Sequence, residues 1–123
     1  MSEKPEKIVI IATHGADDPE RATFPFILAN SARLMDVEVT VILQGFGVLL
    51  ANKGCYEHVF AVGLPSLKEQ VDTFIEQGGK LLVCDPCIRE RKIEESMLVP
   101  TAEPIASARA VEECLEATSV ITY

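Results

Sequence analysis

Positive charge is scarce in this sequence. Its 123 residues include 11 lysines and arginines against 19 aspartates and glutamates, which gives a formal net charge of −8. A field of this sign repels phosphate backbones and anionic lipid headgroups. We therefore expect no direct nucleic-acid partner and no attachment to membrane surfaces.

Long apolar runs are also missing, and we expect no secretory leader. No run approaches the roughly 20 apolar residues that a membrane span needs. The charged start MSEKPEK passes directly into a short aliphatic segment without a small-residue cleavage site. We expect a soluble, cytoplasmic protein, in which the four cysteines Cys55, Cys84, Cys87 and Cys114 are free thiols rather than disulfides.

Length and composition indicate one globular domain that spans residues 1–123. Hydrophobic residues make up 48% of the chain and charged residues 24%, a balance typical of folded rather than disordered proteins. A chain of this size can bury a core of its own.

Short aliphatic runs alternate with helical patterns along the chain. The predicted strands are KIVIIATH, VEVTVIL, KLLV, SMLVP and TSVITY. The predicted helices are DDPERATFPFILANSARLM, a short one in GFGVLLANKG, the segment from Ser66 to Gly78, DPCIRERK and EPIASARAVEECLEA. The stretch from Cys55 to Gly63 is treated as a connection.

Particular residues define the expected helix faces and ends. Ser66 and Glu69 form a capping box, and Pro104 is placed in the first turn of the last helix. Pro25 is expected to kink the first helix or to delay its start. The residues expected on one face of that helix are Phe24, Ile27, Leu28, Ser31 and Met35, and those of the Ser66–Gly78 helix are Leu67, Val71, Phe74 and Ile75.

Strands that alternate with helices predict an α/β fold. We expect a single-domain, doubly wound, five-stranded, mainly parallel sheet with helices on both faces. The flavodoxin-like strand order 2-1-3-4-5 makes the segments around Ile10 and Leu82 adjacent central strands. The ends of these strands, ATHG and VCDPC, then meet at a ligand crevice, with His14 near Cys84.

Cys84 is the leading candidate for chemistry. A thiol at the start of a helix lies near unpaired N–H groups, which favour the thiolate and lower the thiol pKa. Arg89 and Arg91 add positive charge if their side chains fold back, whereas Asp85 opposes the effect unless it caps the helix. The alternative is that Cys84 is a small apolar residue buried at a strand end, and Cys55 and Cys114 are interpreted in that way.

His14 is a second candidate. It either acts as an acid, a base or a thiolate partner, or it satisfies a backbone carbonyl at the end of its strand. Asp17 and Asp18 are explained by an N-cap and the turn before it.

We expect no bound metal and no cofactor. The pairs Cys55 with His58 and Cys84 with Cys87 offer four zinc ligands, but the second pair ends a buried strand instead of forming a knuckle. The segment GFGVLLA follows the second strand and lacks the third glycine of a dinucleotide fingerprint.

These segments together resemble the DsrE/DsrF-like family, which includes sulfur-relay subunits of tRNA thiolation and of dissimilatory sulfur oxidation. The resemblance is carried by KIVIIATHGADDPERA, DVEVTVILQGFGVLLANKG, GGKLLVCDPCIRERKI and ATSVITY. It implies a five-stranded parallel sheet, assembly into trimers or hexamers, and a persulfide-accepting cysteine at Cys84. Arg91 is similar to an arginine found about two turns after that cysteine, and Cys87 departs from the single-cysteine pattern of the best-known carriers.

Three functions are compatible with this pattern. A sulfur carrier holds persulfide sulfur on Cys84 and exchanges it with donor and acceptor proteins, whereas a dithiol redox protein uses both Cys84 and Cys87. A non-catalytic oligomeric binding protein needs neither thiol. The sequence ranks the sulfur carrier, and with it a sulfur transferase activity, first.

Overall fold

The computed structural model describes residues 5–123. Its strands are β1 (Lys7–Ala12), β2 (Glu38–Leu43), β3 (Lys80–Cys84), β4 (Glu103–Ile105) and β5 (Ser119–Thr122). Its α-helices are α1 (Pro19–Leu34), α2 (Leu67–Glu76), α3 (Asp85–Glu90) and α4 (Ser107–Leu115), and short 3₁₀ turns cover Gly45–Ala51, Tyr56–His58 and Glu95–Met97. We call the first of these, Gly45–Ala51, the GFG turn.

The sequence MSEKPEK, on which the expectation of no secretory leader depends, lies mostly outside the described residues. From residue 5 onwards, every helix is too short or too polar to cross a bilayer.

All five strands form one parallel sheet, which confirms the predicted α/β class. The predicted strand order is wrong, because the observed order is β4-β3-β2-β1-β5. Consecutive strands from β1 to β4 lie side by side, and β5 returns to the free edge of β1. Ile10 of β1 therefore pairs with Val41 of β2, and Leu82 of β3 pairs with Ile42 on the other side of β2.

Strand order also decides which face each helix covers. Right-handed crossovers place α1, α2 and α3 on one face, since β1 to β4 advance in one direction, and place α4 on the other face, since the chain then reverses. The larger core lies under the first three helices and includes Phe26, Phe74 and Ile88. The smaller core, under α4 alone, contains Val9, Ile42, Leu82 and Ile105.

The buried face of α1 differs from the expected one. Phe24 and Met35 are 40% and 75% exposed, while Phe26 is fully buried and meets the edge of the Phe74 ring with centroids 5.8 Å apart. Small residues let α1 lie close to the sheet, which a pattern of large apolar residues does not reveal. The helix begins at Pro19, so Pro25 does not delay its start. The buried residues of α1 are Ala22, Thr23, Pro25, Phe26, Ala29, Asn30 and Ala32.

The helix α2 follows its prediction. Ser66 is the N-cap: its hydroxyl accepts a hydrogen bond of 3.2 Å from the Glu69 backbone N–H, which is one of the two bonds of a capping box. Leu67, Val71 and Phe74 form its buried stripe.

The prediction for the fourth strand is wrong. SMLVP contributes a 3₁₀ turn, and Leu98 makes only an isolated antiparallel bridge to Asn52. The strand β4 is instead Glu103–Ile105, and Pro104 lies in it rather than in a helix. Since β4 is an edge strand bonded only to β3, the N–H that proline lacks is not required by a second neighbour.

A buried ion cluster attaches α4 to the sheet. Glu113 is 5% exposed and receives the Lys7 ammonium at 2.7 Å and the Arg109 guanidinium at 2.8 Å. Burial by itself would raise the pKa of Glu113, but the hydrogen bonds from Lys7 and Arg109 outweigh it and lower the pKa to about 2. Burial likewise opposes the charge of Lys7, yet its hydrogen bond to Glu113 leaves its pKa raised.

We expect Glu113→Gln to lower the free energy of unfolding by about 3 kcal/mol, since removing one member of a buried ion pair leaves the other charge uncompensated. Urea denaturation measures the change, and Glu112→Gln on the exposed side of the same helix is the matched control. Equal midpoints for the two variants would contradict the cluster's role.

The contribution of Glu113 to stability should depend on pH. The pKa of Glu113 is about 2 in the folded protein and about 4.3 in the unfolded chain. The stabilisation by Glu113 is therefore complete above the unfolded pKa and is lost as the pH falls toward the folded pKa. The stability difference between the wild type and Glu113→Gln should therefore shrink over this acidic window.

Candidate functional site

Cys84 occupies the junction between β3 and α3. It is the last residue of the strand and the N-cap of the helix, so Asp85 is the first helical residue and not the cap. Pro86 follows in the first turn, where its missing N–H leaves no helical bond unmade. The aliphatic run of β3 and this proline thus place the thiol at the carboxyl edge of the sheet.

Cys84 borders a cavity of about 180 Å³. The predicted crevice between β1 and β3 does not exist, because β2 separates these strands. The cavity arises instead because α4 alone covers this face and begins only after β4. Its lining is Ile42, Gln44, Cys84, Pro86, Ile105, Ala106, Ser107 and Ala110.

The pKa of Cys84 moves in the direction opposite to the expected one. Burial raises the pKa of the Cys84 thiol, the neighbouring Cys87 thiol and the Asp85 carboxylate add to the rise, and the Cys87 backbone N–H acts against it. The helix terminus therefore contributes, but a six-residue helix does not outweigh desolvation. Cys84 is a protonated thiol at neutral pH.

Cys87 lies beside Cys84 and contacts the GFG turn. Its sulfur accepts a hydrogen bond of 3.3 Å from the Gly45 backbone N–H. Gly47 packs against the Ala12 carbonyl at the end of β1 so closely that a Cβ would collide with it. The two glycines thus let the turn lie between β1 and α3 and hold the Cys87 sulfur in place.

Arg91 does not approach Cys84. It caps the end of α3, donates a hydrogen bond of 3.1 Å to the Cys87 carbonyl and lies over the Phe46 ring at 5.2 Å. Arg89 pairs with Asp85 at 2.6 Å. Arg91 therefore connects α3 to the GFG turn, and neither arginine turns its charge toward the Cys84 thiol.

His14 lies at a different place from the one expected. It follows β1, which is separated from β3 by one strand and hence by about 10 Å. Its Nδ1 is 2.9 Å from Asp17, whose other oxygen accepts the Gly15 N–H. These two hydrogen bonds lower the pKa of Asp17, while Asp18 caps α1 as predicted.

The sequence analysis missed Gln44, Ser107 and Ala110. They line the cavity because β2 is the neighbour of β3 and because α4 begins at Ser107. The one available signal was the position of Gln44 directly after a buried strand. Without the correct strand order, this position did not indicate that Gln44 lies near Cys84.

Cys55 and Cys114 are the other two thiols. Cys55 and His58 line a separate cavity beside Ala16, while Cys114 packs in the smaller core and lines a space along α4 next to the Cys84 cavity. Of the four residues weighed as zinc ligands, Cys55 and His58 thus line one cavity, Cys84 lines another, and Cys87 lines neither. Across residues 5–123, no group of three or more histidine, cysteine or acidic side chains is arranged to hold a metal ion.

A profile of the DsrE/DsrF-like family matches residues 6–123. The chain belongs to this family. Its fold is also similar to that of the YchN protein of E. coli, with a TM-score of 0.82 and 19% identity over 96% of this chain and 99% of the other. MTH1491 of Methanobacterium thermoautotrophicum, a protein of unknown function, gives a TM-score of 0.71 and 15% identity over the same shares.

Two uncharacterized proteins of Methanocaldococcus jannaschii are similar in sequence. MJ0760 is 32% identical over 95 residues, which are 77% of this chain and 34% of that protein. MJ0989 is 27% identical over 117 residues, which are 95% of this chain and 99% of that protein. The DsrE/DsrF-like chain described here therefore spans about a third of the first relative and nearly the whole of the second.

We expect Cys84 to titrate above a free cysteine, whose pKa is about 8.5, because burial disfavours its thiolate. The rate of iodoacetamide alkylation at Cys84, followed from about pH 6 to about pH 10 by peptide mass spectrometry, measures this. Cys87→Ala should shift the profile toward lower pH, since the Cys87 thiol contributes to the rise. A midpoint at or below that of a free thiol would contradict the burial argument.

Proposed function

We propose that the protein is a sulfur carrier in which Cys84 accepts a persulfide sulfur and passes it on. The observation that carries this proposal is the position of the Cys84 thiol at a strand end, in the wall of a cavity, with the Cys87 N–H beside its sulfur. Membership of the DsrE/DsrF-like family supports it, because that family includes sulfur-relay subunits.

The transfer step needs no outside oxidant. The Cys84 thiolate attacks the outer sulfur of a donor persulfide R–S–SH, the donor S–S bond breaks, and R–S⁻ leaves while Cys84–S–SH forms. The Cys87 N–H lies beside the Cys84 sulfur, where it can donate to the thiolate that makes this attack. Because burial raises the pKa of Cys84, loading should become faster as the pH rises.

A dithiol redox function is the second candidate. The Cys84 and Cys87 thiols lie within hydrogen-bonding reach of each other. In that reaction Cys84 attacks a substrate disulfide, and Cys87 displaces the substrate thiolate to close a Cys84–Cys87 disulfide. The same closure on a loaded Cys84 would release hydrogen sulfide, so a carrier must suppress attack by Cys87, whose sulfur also accepts the Gly45 N–H.

We also propose that residues 1–123 work as one domain in a cytoplasmic homo-oligomer, a trimer or a hexamer, which exchanges sulfur with donor and acceptor proteins. Apolar side chains on the surface support assembly, since Leu34, Phe60 and Val62 are 77%, 63% and 99% exposed. Exposed apolar groups of this kind are typical of subunit contacts.

After incubation with a persulfide donor, we expect the intact mass to rise by about 32 Da, the mass of one sulfur. Cys84→Ser should abolish the gain, whereas Cys87→Ser should retain it or prolong its lifetime, because the release of hydrogen sulfide needs the second thiol. An adduct that persists in Cys84→Ser and disappears in Cys87→Ser would reverse the assignment. A wild-type protein that forms only the internal disulfide would establish the redox function instead.

Light scattering tests the assembly. At micromolar concentration we expect a mass of about three or six subunits. A particle near the 13.4 kDa of one chain would refute this expectation.

A further inference from the structure

The cavity beside Cys84 has no charged lining. Apart from the thiol, its walls are aliphatic carbons and the two neutral polar side chains of Gln44 and Ser107. Nearby charges are engaged elsewhere, since Asp85 pairs with Arg89 and Arg91 lies over Phe46. An ionic ligand would therefore lose its hydration in this cavity without gaining a charged partner.

The cavity continues into a larger space along α4. This adjoining space, of about 370 Å³, shares Gln44, Ser107 and Ala110 with the first and extends to Ile11 and Cys114. We call the two together the α4 cleft. An apolar cavity of about 150 Å³ is known to hold a molecule the size of benzene, so the 180 Å³ beside Cys84 suits a small organic molecule rather than a protein segment.

The net charge of the protein also favours uncharged ligands over anionic ones. A chain with net charge −8 repels anionic donors before they reach the cleft. The Gln44 amide and the Ser107 hydroxyl line both spaces and offer neutral hydrogen-bonding groups where the two spaces meet. A ligand with an apolar body and one neutral polar group matches this lining.

We propose that the α4 cleft binds a small, uncharged organic thiol and that Cys84 takes its sulfur from the persulfide of that thiol. The thiolate of Cys84 attacks the outer sulfur of the bound persulfide, the S–S bond of the carrier breaks, and the carrier leaves as its thiolate. This inference rests on the proposed sulfur-carrier function and specifies its donor.

Two alkylating reagents of similar size test the selectivity without any sulfur donor. Iodoacetamide is neutral and iodoacetate is anionic. Relative to a free model thiol, Cys84 should favour iodoacetamide by at least about tenfold, which corresponds to 1.4 kcal/mol. A ratio equal to that of the free thiol would overturn the inference.

Filling the α4 cleft with a larger side chain tests whether reagents reach Cys84 through it. Ala110→Leu places a larger side chain in the space that both parts of the cleft share, and it should slow iodoacetamide labelling of Cys84 about tenfold. Ala106→Leu, at the same cavity, is the second variant if the first does not fold. Ala108→Leu on the exposed side of α4 is the control and should label like the wild type. Equal labelling of folded cleft variants and control would overturn the inference.

A matched pair of donors separates this inference from the proposed function. The persulfide of N-acetylcysteamine has an uncharged carrier, and that of mercaptopropionate has an anionic one. We expect loading of Cys84 to be about tenfold faster from the first, and Ala110→Leu to remove the difference. Equal loading from both donors would overturn the inference and leave the carrier function standing. If neither small donor nor a protein persulfide loaded Cys84, the carrier function itself would be wrong.

Discussion

The ion cluster around Glu113 is the interaction on which the candidate site depends. Three helices cover one face of the sheet, but α4 covers the other by itself, and its buried carboxylate bonds to Lys7 of β1 and to Arg109 one turn earlier. A single helix fixed in this way leaves the carboxyl ends of β2, β3 and β4 uncovered. The cavity beside Cys84 is the space that remains.

That arrangement gives the thiol two opposing properties. The cavity provides room for a reacting molecule in front of the sulfur, while burial against the larger core raises the pKa of Cys84 and favours the protonated thiol. The Cys87 N–H favours the Cys84 thiolate, and the Gly45 N–H holds the Cys87 sulfur. The Cys87 N–H can therefore stabilise the negative charge on Cys84 once the thiol has lost its proton. Reactivity is therefore governed by access and by proton removal together.

Most strands and α2 could be predicted, because aliphatic runs and a Ser66 capping box are local signals. The strand order could not be predicted, since periodicity does not say which strands become neighbours. Because of the wrong order, His14 was expected next to Cys84 and Gln44 was overlooked. Pro104 was misplaced because an edge strand tolerates proline, which only the order of the sheet reveals. The pKa of Cys84 was misjudged because the thiol packs against the larger core, which is assembled from distant segments and leaves no local signal in the sequence.

The central claim is that sulfur loads onto Cys84, in the wall of the α4 cleft. Peptide mapping of the wild-type DsrE/DsrF-like protein after incubation with a persulfide donor tests it most directly. Trypsin releases residues 81–89, which contain both Cys84 and Cys87, and fragmentation between the two cysteines locates the added sulfur. The account predicts the added sulfur on Cys84. Its appearance on Cys55 or Cys114, with Cys84 unmodified, would contradict the account.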